Sequence, residues 1–575
     1  MAIDRRRLLG SGKALAPLII GQRAMAAAPL PPDWPDALPQ SLDGSGAPPA
    51  PAPELVLLNR AAYGPRPGDP ERLRRMGIAA WVDEQLAPDD AADTEYRERL
   101  AQARLGIEYE KRGGATVKEE RPLDLLEAPL DRLWALNDYE EVPWQEMVRP
   151  VEEVRAATWL RAVYSRWQLR EVLVEFWHNH FNVSVEADNA GVLVTWPMYD
   201  KVMRRNCLGN FRAFLEEVAT SPAMLYYLDN ASSKASPANE NYARELFELH
   251  TLGAPNYLNA LYDRWRDVPG ALEGKPIGYI DQDVYEAARA FTGWTVADGQ
   301  DDWHGNVFPD TGEFHYHHGW HDPYQKRVLG VEMDPNSPPR ADGRKVLDLL
   351  AAHPGTARYV CGKLVRRLVA DEPPPAIVDA AVAAWQANLQ APDQLARVVR
   401  VILLHRDFAS TWGAKVKRPF EVFASFFRAV GAPFDTRGTP NLTWVNYVAG
   451  YRHFAWGPPT GHPDEGGYWL STNGMLQRWN GLVYAVSDWF SALRFDPLAA
   501  MPEGVRTVRQ MTDFWIDRLL GRPLADAAAR DRLQRYLLAW GDDPDAPPVG
   551  DADNLRGRLR QLVALIGMTP DFQWR

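Results

Sequence analysis

Apolar residues recur every three to four positions through most of the chain. The pattern is dense at Trp159, Leu160, Val163, Tyr164, Trp167, Leu169, Leu173, Phe176 and Trp177, and it predicts an amphipathic helix. That helix runs into the cluster Phe176, Trp177, His178, Asn179, His180, Phe181, and Asn179 and Asn182 predict that it frays there. Helical spacing returns over 142–181, 203–228, 416–430, 505–520 and 533–540. Stretches 347–369 and 380–404 predict an α-hairpin in which His353-Pro354 starts a helix and Lys363, Arg366 and Arg367 line the exposed side. Residues 236–253 predict one helix, capped by Ser236, with Pro237 in its first position and Gly253 at its stop. Residues 281–294 predict another, with Asp281 as N-cap, Gly293 as stop, and Tyr285, Ala288 and Phe291 facing inward. The charged stretch 96–138 reads as solvated helix and loop, and 447–479 as an irregular Gly/Pro/Trp loop suited to wrapping a cleft or lining a sugar surface. With no sustained alternation, no βαβ rhythm and no tandem repeat, the fold class is mainly α: a large multi-helix orthogonal bundle with long irregular loops and little β.

The first fifty residues break the pattern. Arg5, Arg6 and Arg7 precede Leu8 and Leu9, a short apolar stretch follows, and Ala24 to Ala28 supply an A-x-A site. This is the order of a secretory signal of twin-arginine type, over 1–28, with cleavage after Ala26 or Ala28 and the periplasm as destination. Residues 29–53 form a Pro/Ala-rich linker, and 54–575 a helical domain with a possible subdivision near 335–345. Residues 1–26 hold five Lys/Arg and one Asp, so their removal takes +4 from the chain's −12 and leaves −16. Such a charge, with no basic stripe, argues against nucleic acid as a partner. No apolar run of about 20 residues follows the signal, so no transmembrane segment is expected in the mature chain. Two cysteines, Cys207 and Cys361, exclude a Cys-rich zinc site and allow at most one disulfide; apolar surroundings favour buried free thiols.

Three polar constellations are candidates for chemistry. His178 and His180 lie two apart. On a helix they are turned by about 200°, and on an extended segment they share a face. A chelating pair therefore requires the helix to end by about Trp177. Otherwise one histidine sits in the core and the other at a helix end. Asn241, Glu245 and Glu248 stand at i, i+4, i+7, and Glu240, Arg244 and Glu248 allow surface ion pairs. Those glutamates form either a solvated face or a carboxylate-rich helix turned to the histidines, with Glu245 or Glu248 as base or ligand. Four histidines, His315, His317, His318 and His321, fall within seven residues, with Asp322 placed to orient a ligand. Such a set suits a divalent transition metal whose identity ligand type alone does not fix. No P-loop, GxGxxG, GxSxG or HExxH is present, which argues against nucleotide enzymes, α/β-hydrolases and zincins.

Several stretches together resemble one family: LLNRAAYGP at 57–65, FWHNHF at 176–181, NENYARELFELHTLG at 239–253, DVYEAARAFTGW at 283–294, HDPYQKRVLG at 321–330, HPGTARYVCGKLVRRLVAD at 353–371, KRPFE at 417–421 and TPDFQWR at the end. They resemble the bacterial domain-of-unknown-function family 1800. The resemblance implies an exported bacterial protein, often encoded beside a co-exported family that resembles sulfatases and phosphatases. It carries no reaction. It does place His178, His180, Asn239, Glu240, Arg244, Glu245, His321, Asp322 and Lys326 in the shared pattern and leaves His315, His317 and His318 outside it. The expectation is a metal- or cofactor-dependent periplasmic enzyme, hydrolase or oxidoreductase. His178, His180 and His321 are its expected metal ligands, with His315, His317 and His318 as a secondary set, and Glu245, Asp322, Arg244 and Lys326 its expected catalytic groups. The alternative is a non-catalytic helical scaffold that binds a co-exported protein or an envelope polysaccharide.

Overall fold

The centre of the fold is a pair of helices, one buried along its whole length and the other along a wide apolar face. Pro419–Val430 buries every one of its residues. It starts with proline in the first turn, where a missing N–H costs nothing. The Glu421 carboxylate accepts the Arg418 backbone N–H at 2.7 Å, and Gly431 stops the helix at φ 68°. Against it lies the 21-residue helix Trp144–Tyr164, whose Trp159 ring sits 4.4 Å from Phe420 and 6.0 Å from Phe427. The helix Gln168–His180 follows after a three-residue turn and buries eleven of its thirteen residues. The computed structural model describes residues 51–575 apart from 112–113, 188, 303–304, 488–492 and 540. The signal segment 1–28 and all of the 29–53 linker but its last three residues lie outside the described residues.

Around this centre the described residues are mainly α, with three short antiparallel strand pairs among them. One pair corrects the reading of 96–138: Leu105–Glu110 and Thr116–Arg121 form a hairpin. Its inward side chains are Leu105, Ile107 and Val117, while outward charges pair across it, as in Lys118–Glu108 at 2.8 Å. Six-residue strands give too short an alternation to stand out from a charged helix. The described residues from 51 onward form one unit. The helix Ala341–Ala352 rests on Phe211–Ala219 and Asp281–Phe291, so 335–345 carries no break. Among the described residues no helix is long and apolar enough to cross a membrane. Cys207 and Cys361 are free and buried.

Two predicted helices differ in detail. The 236–253 helix does not begin at Ser236. Asn239 Oδ1 accepts the Asn241 N–H at 2.9 Å, the α-helix spans only Asn241–Glu245, and Leu246–His250 then widens into a π turn. Gly253 ends it at φ 84°. A Cβ there would lie 2.4 Å from the Tyr359 ring, so the close approach of this turn to Pro354–Leu368 requires glycine. In Asp281–Phe291 the inward residues are Val284, Ala287, Ala288 and Phe291, and Tyr285 is 48% exposed. Ile280 takes the N-cap position, with the Asp283 carboxylate accepting its N–H.

Candidate functional site

The helix Gln168–His180 does not end at Trp177, and this decides the histidine pair. With both residues helical, His178 and His180 leave on opposite sides. His178 Nε2 donates to Asp200 Oδ1 at 3.0 Å, and Arg204 and Arg161 hold that carboxylate at 2.8 and 3.6 Å. Burial opposes ionisation of Asp200, but the two arginines and His178 hold its carboxyl well below the usual range. His180 Nε2 donates to the His250 carbonyl at 3.1 Å. His321 stands elsewhere, with Nδ1 at 2.9 Å from the Thr292 carbonyl and Nε2 at 3.2 Å from Asp342. The expected His178/His180/His321 metal centre is therefore not assembled. Among the described residues no group of three His, Cys, Asp or Glu side chains is placed to hold a metal ion. The secondary set is also spread. His315 and His317 flank the Phe308 ring at 4.9 and 5.0 Å, while His318 approaches Tyr316.

His321, Asp322 and Lys326 do meet, around Asp342. Lys326 Nζ donates to Asp342 Oδ2 at 2.7 Å and to the carbonyls of Asp322 and Tyr324 at 2.6 and 2.9 Å. Arg289 closes on Asp322 through two bonds, at 2.8 and 3.0 Å. Burial works against the Asp342 charge, yet His321 and Lys326 hold its pKa down to about 2. Every member has a partner, so the cluster fastens 321–326 to the helix Ala341–Ala352.

A larger closed network grows from Glu175, one turn before His178. Arg367 bridges Glu175 at 2.8 Å and Glu421 at 2.6 Å, and Arg418 bridges Glu175 and Asp464 at 2.8 and 2.7 Å. Arg575 reaches Glu421 at 3.0 Å, and Lys415 reaches Asp371 at 2.6 Å. The sequence places Arg367 on an exposed side; it is fully buried, because the carboxylates that need it come from two other helices. Tyr451 and Asn179 also donate to Glu175 Oε1, at 2.9 and 2.7 Å. Gly461 lets the 447–479 loop close onto this end of the helix, since a Cβ there would meet the Asn179 carbonyl oxygen at 2.1 Å. Between His178, Asn182, Tyr451, Phe454 and His462 a crevice of about 10 Å³ remains, the space of one water molecule.

The His180 side is different. His250, at the end of the π turn, is fully buried, and neither ring nitrogen has a partner; His180 Nδ1 is also unpartnered. Their ring centroids lie 6.3 Å apart. Burial, then the nearby Lys363 ammonium, pushes His250 down to about 3, and the same two causes keep His180 well below its ordinary value. Lys363 itself is half-buried, Nζ 5.5 Å from the Tyr359 ring centroid, with no carboxylate in ion-pair contact. Burial pushes its ammonium down to about 8, against the pull of Asp464. On the π-turn helix, Glu245 and Glu248 are half-buried and likewise lack a cation in contact. Burial, then the Glu248 charge, raises Glu245. Arg244 turns away to Glu240 and Asp281, at 3.1 and 3.3 Å. Tyr227, which feels Glu245, donates to the Gly457 carbonyl at 2.5 Å, and Tyr359 feels Glu248.

A family model described as "Protein of unknown function (DUF1800)" matches residues 56–574. The chain belongs to the DUF1800 family. Comparison with curated proteins and with solved structures gives no match. In this DUF1800 chain the expected catalytic residues thus divide. Glu245 lies on the open face, Arg244 beside it is engaged in ion pairs, and Asp322 and Lys326 lie in the closed cluster beside His321. Sequence reasoning missed Glu175, Arg418, Glu421, His250 and Lys363 as a site. The signal available was position: Glu175 precedes His178 by three, Arg367 follows Lys363 by four, and His250 ends the Glu245/Glu248 helix.

Proposed function

We propose that the mature chain is an exported periplasmic hydrolase that cleaves an envelope polysaccharide by acid–base catalysis on the face shared by Asn241–Glu245, the π turn and Pro354–Leu368. One observation carries this reading. Most buried carboxylates of this protein are neutralised by arginine, lysine or histidine, and Asp93 and Asp283 are held by hydroxyl or backbone N–H groups instead; Glu245 and Glu248 stand together, half-buried, without an ion-pair partner. Glycoside hydrolysis needs such a pair, one carboxyl protonated to serve as acid and one ionised to act as nucleophile or base. Glu245, raised by burial and by Glu248, takes the acid role, and Glu248 that of nucleophile or base. Tyr227 and Tyr359 supply hydroxylated aromatic walls of the kind that receive sugar rings. The transition-metal expectation has no three-ligand group to rest on among the described residues, and no step here runs through one.

The test is release of new reducing ends from envelope polysaccharide, peptidoglycan included, by the mature protein. Glu245→Gln should lower the rate about a hundredfold, the lower range for losing a general acid, with an unchanged circular-dichroism spectrum. Equal rates, or none above background for the native protein, would remove the hydrolase reading. The scaffold reading, supported by the closure of the Glu175 and Asp342 networks, would then stand. It expects capture of the co-exported sulfatase/phosphatase-like protein without turnover.

A further inference from the structure

Tyr359, Lys363 and Arg366 stand at i, i+4, i+7 of Pro354–Leu368 and so share one face of that helix. The face is open: a Cβ built on Gly362, beside Lys363, would meet nothing within 4 Å. Lys363 has the Tyr359 ring centroid at 5.5 Å and no carboxylate in contact. Arg366 holds Glu465 only loosely, at 3.9 Å, and both side chains are substantially exposed. Elsewhere Arg367, Arg418 and Lys415 are each tied down by two carboxylates, and Lys417, Arg60 and Arg478, which lack a carboxylate, donate instead to a hydroxyl or to backbone carbonyls. An ammonium half out of water without a counter-charge is unsatisfied, and an arriving anion would satisfy it. The negative groups facing this stripe are Glu248, beside Tyr359, and Asp464 with Glu465 from the loop. Of these, Asp464 is committed to Arg418 at 2.7 Å.

We infer that Lys363, with Arg366, is the anion anchor of the polysaccharide site, so that the substrate is an acidic glycan carrying a carboxylate or phosphate on the residue seated against Tyr359. This deepens the hydrolase reading and rests on it for the cleavage step, but binding can be tested alone. The neutral histidines His180 and His250 add no competing charge, and tyrosine beside a cation suits a sugar ring bearing an acid group. A neutral glycan would leave Lys363 unpaired and gain nothing from it.

Affinity electrophoresis of the mature protein decides the matter, in gels containing polygalacturonate, poly(glycerol phosphate) or neutral dextran. The native protein is expected to be retarded by one of the two polyanions and not by dextran, which also tells carboxylate from phosphate. Lys363→Met should weaken that retardation about tenfold or more, Lys363→Arg should keep most of it, and Glu245→Gln should bind as the native protein does while releasing reducing ends about a hundredfold more slowly. Should Lys363→Met fail to fold, Arg366→Ala reads the same face and should weaken binding too. Retardation of the folded Lys363→Met or Arg366→Ala variants equal to native, retardation by dextran, or none by either polyanion overturns the anchor. Binding by Glu245→Gln without any turnover by the native protein would sink the hydrolase and leave the anchor standing.

Discussion

Replacing Arg367 by Met should destabilise the fold by roughly 3–5 kcal/mol, the range for removing one partner of a buried ion pair. Arg367 is fully buried and holds Glu175 and Glu421 at once. In the paired set, Arg367, Arg418, Arg575 and Lys415 face Glu175, Glu421, Asp464 and Asp371. Deleting one cation leaves an excess negative charge where water cannot follow. Burial works against the Glu421 charge, and Arg367, Arg575 and Arg418 together bring its pKa to about 2. Without Arg367 the cheapest response is to protonate a glutamate, so the loss should shrink when Glu421→Gln is added and the charge balance returns. Chemical denaturation of the native, single and double variants measures this. A single-variant loss below about 1 kcal/mol, or strict additivity in the double, would show that the network is not coupled as the distances imply. The location adds weight: the same side chains join Gln168–His180, Pro354–Leu368, Pro419–Val430 and the last residue, so damage there should spread to the His178 side of the motif helix.

The sequence shows the large features of this chain because helices announce themselves by a period of 3.6. Pro419–Val430 and the mainly α class are legible from apolar spacing alone, but the spacing from Trp159 to Trp177 reads as one helix, which the structure divides at 165–167 into Trp144–Tyr164 and Gln168–His180. What was not visible depended on geometry beyond one segment. The two-apart spacing of His178 and His180 has opposite meanings on a helix and on a strand, and the helix persists past the asparagine that predicted fraying because Asn179 bonds back to the Glu175 carbonyl at 2.8 Å. The π turn at Leu246–His250 carries no sequence mark. Arg367 reads as surface beside Lys363 and Arg366, since a run of basic residues on one helix gives no sign that two remote glutamates await one of them. Glu245 was named from spacing with Glu248. Its significance lies in what the fold withholds from it, an ion-pair partner, and a sequence cannot display that.

The stability of the protein should fall as pH drops from about 6.5, before Glu421 or Asp342 titrates. Burial is the first cause for each of the histidines involved. His250 and His462 are pushed down to about 3, and His180 and His453 lie well below their ordinary value. An unfolded histidine titrates near 6.5. Between the two values the unfolded chain binds more protons than the folded one, so stability rises with pH and is lost on acidification through that window. Each such group contributes at most about 1.4 kcal/mol per pH unit, so His250 alone should account for a few kcal/mol by pH 4. Glu421 and Asp342, held near 2, add their loss only below about 4.5, where the unfolded carboxylates begin to bind protons. Between 6.5 and 5 the buried histidines supply the destabilising slope, partly offset by Glu153 and Asp283, which burial raises to about 7 and about 6 and which take up protons in the folded chain. His250→Leu removes one of them at little other cost: neither ring nitrogen has a partner to lose, and the His250 carbonyl that accepts from His180 remains. Denaturation midpoints measured at pH 7.5, 6.5, 5.5 and 5 should show a shallower slope for the variant than for the native protein. Identical slopes would mean that His250 is not held neutral by the fold.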